Sequence, residues 1–252
     1  MLVQFKFITK KLLALSLGRV FNYLYPRELP IILNYHGIAD RIINGSIFDV
    51  EYKEFISQIH YLASLNFRFI SLSKLIYLLK NKGLESNYCL ITFDDCPHSF
   101  LKGAEYLTKL NIPFAAFICY DYAEKNGNWC DWNILREIEE YMPIEYGSHG
   151  IFHRRFDKLA VFEACKEIKE SFVIMKKYLK KVTRTISLPY GKYSVELLEN
   201  INKIGIDAIF LTDVRKKDKK LLKYSAFPRI PIDKRDTQKT FIYKIKGYYN
   251  YL

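Results

Sequence analysis

Short apolar runs alternate with segments of helical periodicity along most of the chain. The run Ile31–His36 has the continuous apolar character of a buried strand. Predicted strands cover residues 31–36, 67–72, 90–95, 113–119, 143–149 and 185–188. Predicted helices cover residues 51–65, 73–79 with Ser73 as the cap, 100–110, Asp131 or Asn133 to Tyr141, and 157–180, before a basic amphipathic segment at 241–248. This alternation predicts an α/β fold with a mostly parallel sheet.

One predicted strand, Leu90–Asp95, ends in two adjacent carboxylates, Asp94 and Asp95. An unpaired buried carboxylate is costly, so the pair is expected to have a function. Successive side chains of a strand point in different directions, and one carboxylate could bind a metal while the other transfers protons. The alternative is that the pair caps the next helix, because Asp is a favoured N-cap residue.

Histidines follow two other predicted strands. His36 stands at the end of the first strand, and active sites of barrels lie at the C-terminal ends of their strands. A structural role is the alternative for this single histidine. His149 and His153 lie four positions apart after strand 143–149, a spacing that brings two imidazoles to one metal ion on a helical turn or a tight loop. With Asp95 as the third ligand, such a set leaves positions open for water and substrate.

Three motifs in this order resemble the polysaccharide deacetylases, the NodB-homology or carbohydrate esterase family 4 enzymes. Thr92–Asp95 matches the TFDD motif, Ser148–His153 matches the SHxxxH motif, and Pro189–Gly191 matches the PYG loop. The order of His36 ahead of these motifs, with Trp132 before the histidines, is similar to the branch that deacetylates poly-N-acetylglucosamine. The resemblance covers residues 31–232 approximately and implies a single-domain deformed (β/α) barrel, with residues 30–252 as the catalytic domain.

The resemblance implies a metal-dependent hydrolase that removes an N-acetyl group from an amino sugar of a glycan or glycolipid, with a metal-bound water as the nucleophile. The implied metal ligands are Asp95, His149 and His153. The implied catalytic residues are Asp94 as general base, His36 as general acid and Tyr190, whose backbone helps to hold the oxyanion. The implied substrate contacts are Trp132, Pro189 and Tyr190. Zinc is the metal expected first, with cobalt, nickel or iron as alternatives.

Two positions depart from the family pattern. Cys96 follows the aspartates where the family usually has Gly, and Cys is strained there if the backbone is left-handed. Ser187 stands where many members have Arg. A catalytically silent carbohydrate-binding relative is therefore one alternative, and a deformylase or other amidase acting on a lipid-linked sugar is another. A further hypothesis is nucleophilic catalysis by Cys96 with His98.

Composition limits the partners and the compartment. The net charge of +12 suits an anionic partner, but no nucleic-acid-binding signature is present, so no nucleic acid is expected. The five cysteines are odd in number and form no CxxC pair, which favours a reducing compartment. Residues 1–29 form a basic amphipathic segment that either contacts an anionic membrane surface peripherally or docks on its own domain. We therefore expect a cytoplasmic protein, at the membrane surface if that segment binds lipid.

Overall fold

The computed structural model describes residues 29–41, 46–125, 127–212 and 219–247. Its strands are β1 (Ile31–Tyr35), β2 (Ile38–Ala39), β3 (Val50–Glu51), β4 (Arg68–Phe69), β5 (Tyr88–Asp94), β6 (Phe114–Ile118), β7 (Ile144–Ser148), β8 (Val182–Ser187), β9 (Ala208–Leu211), β10 (Ala226–Pro228) and β11 (Ile230–Pro231). Its helices are α1 (Tyr52–Ser64), α2 (Leu72–Lys80), α3 (Phe100–Lys109), α4 (Tyr120–Glu124), α5 (Trp132–Ile138), α6 (Val161–Tyr178), α7 (Val195–Lys203) and α8 (Gln238–Ile245).

The main sheet is parallel and nearly closed. Its strand order is β10-β9-β8-β7-β6-β5-β1-β11, with β4 also paired to β5. The two ends of this order, β10 and β11, are consecutive in the chain and separated only by Arg229. One extended segment thus pairs with β9 through its first half and with β1 through its second half. The α/β fold and the deformed (β/α) barrel predicted from the sequence are confirmed.

The side chains of β5 point alternately towards the helices and into the barrel, and this alternation determines the position of Asp94. Ile91 and Phe93 pack outward into the core formed with the helices, where the ring of Phe93 contacts that of Phe100. Leu90 packs into the barrel interior among aromatic residues of other strands. Thr92 and Asp94 share the face of Leu90, because side chains alternate along a strand. Asp94 therefore ends the strand inside the mouth of the barrel.

Several element boundaries differ from the sequence prediction for local reasons. Helix α2 begins after Ser71, whose hydroxyl accepts the backbone N–H of Lys74, so Ser73 is not its cap. The long helix predicted from residue 157 begins at Val161, because Leu159 and Ala160 have extended backbones. A 3₁₀ turn precedes it at 156–158.

The predicted amphipathic segment 1–29 lies outside the described residues except for its last position. Its contact with a membrane surface stays a prediction. Among the described residues, none of the helices has both the length and the apolar character needed to cross a bilayer.

Candidate active site

The two aspartates have different surroundings because the backbone turns sharply after β5. Asp95 and Cys96 both adopt left-handed conformations, with φ of 66° and 52°. Asp94 remains buried at 2% exposure, whereas the Asp95 side chain is 18% exposed. Helix α3 begins only at Phe100, so neither carboxylate caps it. The left-handed conformation considered for Cys96 is present.

Asp94 forms a buried, two-pronged ion pair with Arg229. The guanidinium Nη1 and Nη2 donate to the two carboxylate oxygens at 2.7 and 2.6 Å, and the Arg229 side chain is completely buried. Burial alone raises the pKa of Asp94, but Arg229 and then His149 outweigh it, so the pKa lies well below its ordinary value. Asp94 is therefore ionised at neutral pH.

The sequence interpretation did not identify Arg229. This residue supplies, from another segment of the chain, the guanidinium that the family pattern places at position 187. The Ser187 hydroxyl donates to Asp94 Oδ2 at 3.2 Å and lies 2.7 Å from Arg229 Nη2. A guanidinium thus reaches Asp94 from the segment that closes the barrel, although β8 carries Ser at the expected Arg position. The available signal was a charged residue inside the short extended segment Pro228–Pro231, since a buried charge requires a partner.

Asp95, His149 and His153, the three predicted metal ligands, lie together. Asp95 Oδ1 is 3.6 Å from His149 Nε2 and 3.4 Å from His153 Nε2, and one ligand atom from each residue lies within 4.8 Å of the others. Bonds of about 2.0–2.2 Å in a tetrahedral zinc site place ligand atoms roughly 3.4 Å apart. Asp95 Oδ1 is also buried without a hydrogen-bond partner. The residues therefore fit a divalent metal.

The imidazoles have the protonation state that a metal requires. His149 Nδ1 lies 2.8 Å from the carbonyl oxygen of Ser187; as a donor it leaves Nε2 free to coordinate. Burial lowers the pKa of His149 to about 3 and also lowers that of His153. Burial, and then the charge of Asp94, raises the pKa of Asp95 to about 8 in the absence of a cation.

The loop that carries both histidines is fixed from behind by Glu167 on α6. One carboxylate oxygen of this buried residue accepts the backbone N–H groups of Ile151 and Phe152 at 3.0 and 3.2 Å. The other binds the guanidinium of Arg154, at 2.6 Å from Nη2. Gly150 has φ of 83°, and a Cβ there would lie 2.9 Å from the Phe156 ring. The loop is thus held in one conformation.

His36 lies on the other side of the Asp95 carboxylate. Its Nε2 is 4.0 Å from Asp95 Oδ2, and its ring stacks on Phe48 at 4.8 Å. Burial lowers the pKa of His36 to about 4, so the ring is neutral at pH 7. As a general acid, it must take up its proton during the reaction.

The predicted substrate-contacting residues occupy two different settings. Tyr190 has φ of 62° and is 58% exposed; its ring lies 5.1 Å from that of His153, with Pro189 buried beside it. Trp132 is only 7% exposed. Its indole stacks on Tyr178 at 4.6 Å and donates to Glu124 at 2.8 Å. The structure thus places Trp132 in a packed position and brings Tyr190 to the metal ligands.

The geometry opposes a thiolate nucleophile at Cys96. This thiol is buried, and burial raises its pKa well above the ordinary value. His98 Nδ1 contacts the sulfur of Cys130 instead, at 3.8 Å. Burial also raises the pKa of Cys130, to about 12, so both thiols are protonated at neutral pH.

The sequence and the fold of the chain are similar to those of known carbohydrate deacetylases. The model of the polysaccharide deacetylase family matches residues 81–209, about half of the chain. The chain belongs to this family.

Curated relatives define the similarity more narrowly. The chain is 25% identical over 207 residues to a poly-beta-1,6-N-acetyl-D-glucosamine N-deacetylase of Staphylococcus aureus, covering 72% of this chain and 71% of the relative. It is 23% identical over 208 residues to the protein of the same name from Staphylococcus epidermidis, covering 72% of each.

Solved structures support the same fold. IcaB from Ammonifex degensii superposes with a TM-score of 0.73 at 20% identity, covering 89% of this chain and 98% of that one. The Streptococcus pyogenes deacetylase PplD superposes with a TM-score of 0.74 at 18% identity, covering 87% and 99%.

Proposed function

We propose that the protein is a metal-dependent hydrolase that removes an N-acetyl group from an amino sugar of a glycan or glycolipid. The observation that carries the proposal is that the adjacent residues Asp94 and Asp95 have different charged partners. Asp94 is held as an anion by Arg229, whereas Asp95 faces His149 and His153. Membership of the deacetylase family and the activity named for the staphylococcal relatives support it.

Asp95, His149 and His153 would hold the metal. Their nitrogen and oxygen donors suit zinc first, and cobalt, nickel or iron also accept imidazole and carboxylate ligands. A divalent ion bound there lowers the pKa of water from 15.7 towards about 7 and polarises a carbonyl group.

Asp94 accepts the proton of the attacking water as its oxygen bonds to the amide carbonyl carbon. Because Arg229 lowers the pKa of Asp94, the protonated carboxyl readily gives the proton up and the base is regenerated. The C–N bond breaks to give acetate and an amine. His36, neutral at rest, relays a proton to the leaving nitrogen, and the backbone at Tyr190 holds the oxyanion.

The test is the variant Asp94→Asn, assayed for acetate release and for bound metal. We expect a loss of turnover of about 10²–10⁴-fold, the usual contribution of a general base, with metal content unchanged by elemental analysis. Asp95→Asn is the matched control and is expected to lose metal and turnover together. Unchanged turnover in Asp94→Asn would refute the assignment.

The same assay separates the alternative functions. Wild-type protein is offered a panel of N-acetyl and N-formyl amino sugars, with and without a chelator. Formate release without acetate release would identify a deformylase. Absence of both products and of bound metal would identify a silent carbohydrate-binding relative.

A further inference from the structure

The two histidines of the proposed metal site are oriented by different kinds of contact. His149 is buried, and its Nδ1 lies 2.8 Å from the carbonyl oxygen of Ser187, a hydrogen bond that sets the plane of the ring. His153 is only half-buried, and its backbone is left-handed, with φ of 50°. Its ring is flanked by aromatic side chains instead.

Tyr122 makes the flattest ring contact with His153. The two rings lie 5.2 Å apart with 30° between their planes, whereas Tyr190 approaches His153 at 58°. Tyr122 also stacks on Trp129, at 4.4 Å and 12°. These three residues form an aromatic stack, Trp129–Tyr122–His153, that ends on a proposed metal ligand.

Backbone hydrogen bonds tie Tyr122 to the loop that carries both histidines. Tyr122 lies in α4, and the first two residues of this helix, Tyr120 and Asp121, donate their backbone N–H groups to that loop. The acceptors are the carbonyl oxygens of Gly150 and Ile151, at 3.1 and 3.0 Å. The position of the Tyr122 ring relative to His153 is therefore fixed by the main chain.

Trp129 is tied to the other loop of the site. Its backbone forms an antiparallel bridge with Pro97, and the N–H of the next residue, Cys130, donates to the carbonyl oxygen of Cys96 at 2.9 Å. Cys96 directly follows Asp95 in the chain. The aromatic stack thus joins the loop of one proposed metal ligand to the loop of another.

The stack acts on the orientation of the His153 ring. This side chain rotates about two bonds, and only some orientations direct its Nε2 towards Asp95 Oδ1, which lies 3.4 Å away. Rotation out of that orientation breaks the contact with Tyr122, so stacking favours the orientation in which Nε2 can coordinate. The ring of Tyr122 is sufficient for this effect, and its hydroxyl is not required.

We propose that Tyr122 is a positioning residue of the metal centre: its ring, supported by Trp129, holds the imidazole of His153 in the orientation that binds a divalent ion. The proposal rests on the proposed function for the identity of the metal ligands. The sequence interpretation assigned no role to Tyr122 or to Trp129.

Zinc affinity, measured by competition with a chromophoric chelator, tests the role of the ring. Tyr122→Leu keeps an apolar side chain without a ring and is expected to bind zinc about 10-fold more weakly, the upper range for one aromatic pair. Tyr122→Phe keeps the ring and should bind zinc within about twofold of the wild type. Equal affinities of Tyr122→Leu and the wild type, or a loss of affinity in Tyr122→Phe, would overturn the proposal.

Cobalt-loaded protein reports the geometry of the site independently of turnover. The visible absorption of bound cobalt depends on the arrangement of its ligands. We expect Tyr122→Leu to change this spectrum and Tyr122→Phe to reproduce that of the wild type. Identical spectra for Tyr122→Leu and the wild type would show that the ring does not orient His153.

Trp129→Leu tests the support of Tyr122 by its neighbour. This variant is expected to bind zinc about 3-fold more weakly than the wild type, a smaller loss because Trp129 acts through Tyr122. Adding Trp129→Leu to Tyr122→Leu should then cause no further loss. Independent, additive losses would refute the stack as a unit. Both residues are only half-buried, so their substitution leaves the hydrophobic core intact.

A second stack of nearly equal geometry provides the matched control. Trp132 stacks on Tyr178 at 4.6 Å and 11°, and this stack ends on Tyr120, which is not a metal ligand. Tyr178→Leu is expected to lower the midpoint of denaturant unfolding and to leave zinc affinity unchanged. Equal losses of zinc affinity in Tyr178→Leu and Tyr122→Leu would assign the effect to general stability and refute the positioning role.

Failure of this proposal and failure of the proposed function give different results. Acetate release by wild-type protein, together with equal zinc affinities of Tyr122→Leu and the wild type, refutes the positioning role and leaves the activity. Zinc affinity that depends on the Tyr122 ring, without acetate release from any N-acetyl amino sugar, refutes the activity and leaves the positioning role.

Discussion

The two loops that build the site are stabilised in different ways. The loop after β5 has two consecutive non-glycine residues in left-handed conformations, Asp95 and Cys96, and its buried ion pair involves Asp94, the proposed base. The loop after β7 is left-handed at Gly150 and at His153, one of the proposed metal ligands. It is held by Glu167, which takes no part in the proposed chemistry. The contact that stabilises the second loop can therefore be removed without removing a proposed catalytic or metal-binding group, whereas in the first loop it cannot.

The largest effect is expected from Arg229→Met. Removing one partner of a buried ion pair leaves an uncompensated charge and costs about 3–5 kcal/mol, and the raised pKa of Asp94 would also reduce turnover. Denaturant unfolding and acetate release measure the two effects. The double variant Arg229→Met/Asp94→Asn should recover part of the stability and none of the activity. Equal stability of the single and double variants would contradict a buried charge pair.

A second, smaller effect is expected from Glu167→Ala. Loss of the residue that fixes the histidine loop is expected to weaken zinc affinity about 10–100-fold, as for other groups behind metal ligands. Glu139 is the matched control, because it is equally buried and accepts the backbone N–H groups of Lys180 and Lys181.

Glu139→Ala should lower stability without changing zinc affinity. Glu167→Gln, which keeps an oxygen acceptor, should bind zinc more tightly than Glu167→Ala. Equal zinc affinities for the Glu139 and Glu167 variants would show that the second loop does not depend on this contact.

The pH dependence of the metal-free protein tests the first loop. The pKa of Asp95 is raised to about 8 in the folded state, so between pH 6.5 and 8 the folded protein holds a proton that the unfolded chain has lost. Stability should therefore fall as pH rises through this window, by no more than about 1.4 kcal/mol per pH unit.

Below pH 6.5, the lowered pKa values of His149, His153 and His36 act in the opposite direction, because protonation then favours the unfolded chain. Thermal denaturation across pH 5–8.5, with and without zinc, measures both slopes. Asp95→Asn should remove the fall above pH 6.5. If the stability of this variant still falls above pH 6.5, another ionisable group is responsible.

The smallest effect is expected from Cys96→Gly. Glycine relieves the left-handed strain, about 1–2 kcal/mol, but it also loses a buried thiol and adds freedom to the unfolded chain, so the net change should lie within about 1 kcal/mol. Cys130 is equally buried at 1% and is not left-handed. Cys130→Gly should therefore be the more destabilising of the two in denaturant unfolding. The reverse order would show that Cys96 is not strained.

Sequence patterns predicted what depends on local order along the chain. The alternation of apolar runs and helical segments predicted the barrel, and the motifs predicted that Asp95, His149 and His153 would meet. These residues follow parallel strands, whose C-terminal ends necessarily lie at one edge of the sheet. No local sequence pattern indicated that Trp132 would be packed and not exposed to substrate, since it begins the short helix α5 that Trp129 precedes.

The sequence interpretation did not identify Arg229 and Glu167, because local sequence patterns do not show contacts between separate segments of the chain. Arg229 contacts Asp94 over 135 positions in the chain, and Glu167 approaches the histidine loop from the next helix. Glu167 belongs to a helix whose apolar pattern is complete without it, and the charge of Arg229 inside an extended segment indicates a partner but not where that partner lies. A buried charge becomes recognisable as a partner only when the opposite charge is known to lie nearby.

The segment that closes the barrel also has a consequence for biosynthesis. Chains fold as they emerge from their N-terminal end, so β5 and its two aspartates are made long before Arg229. Until residues 226–231 join β9 to β1, the Asp94 carboxylate lacks its guanidinium partner and the sheet is open between these two strands. The segment 226–231 therefore completes the proposed active site, and a nascent chain that stops before it carries the proposed metal ligands without the ion pair that keeps Asp94 ionised.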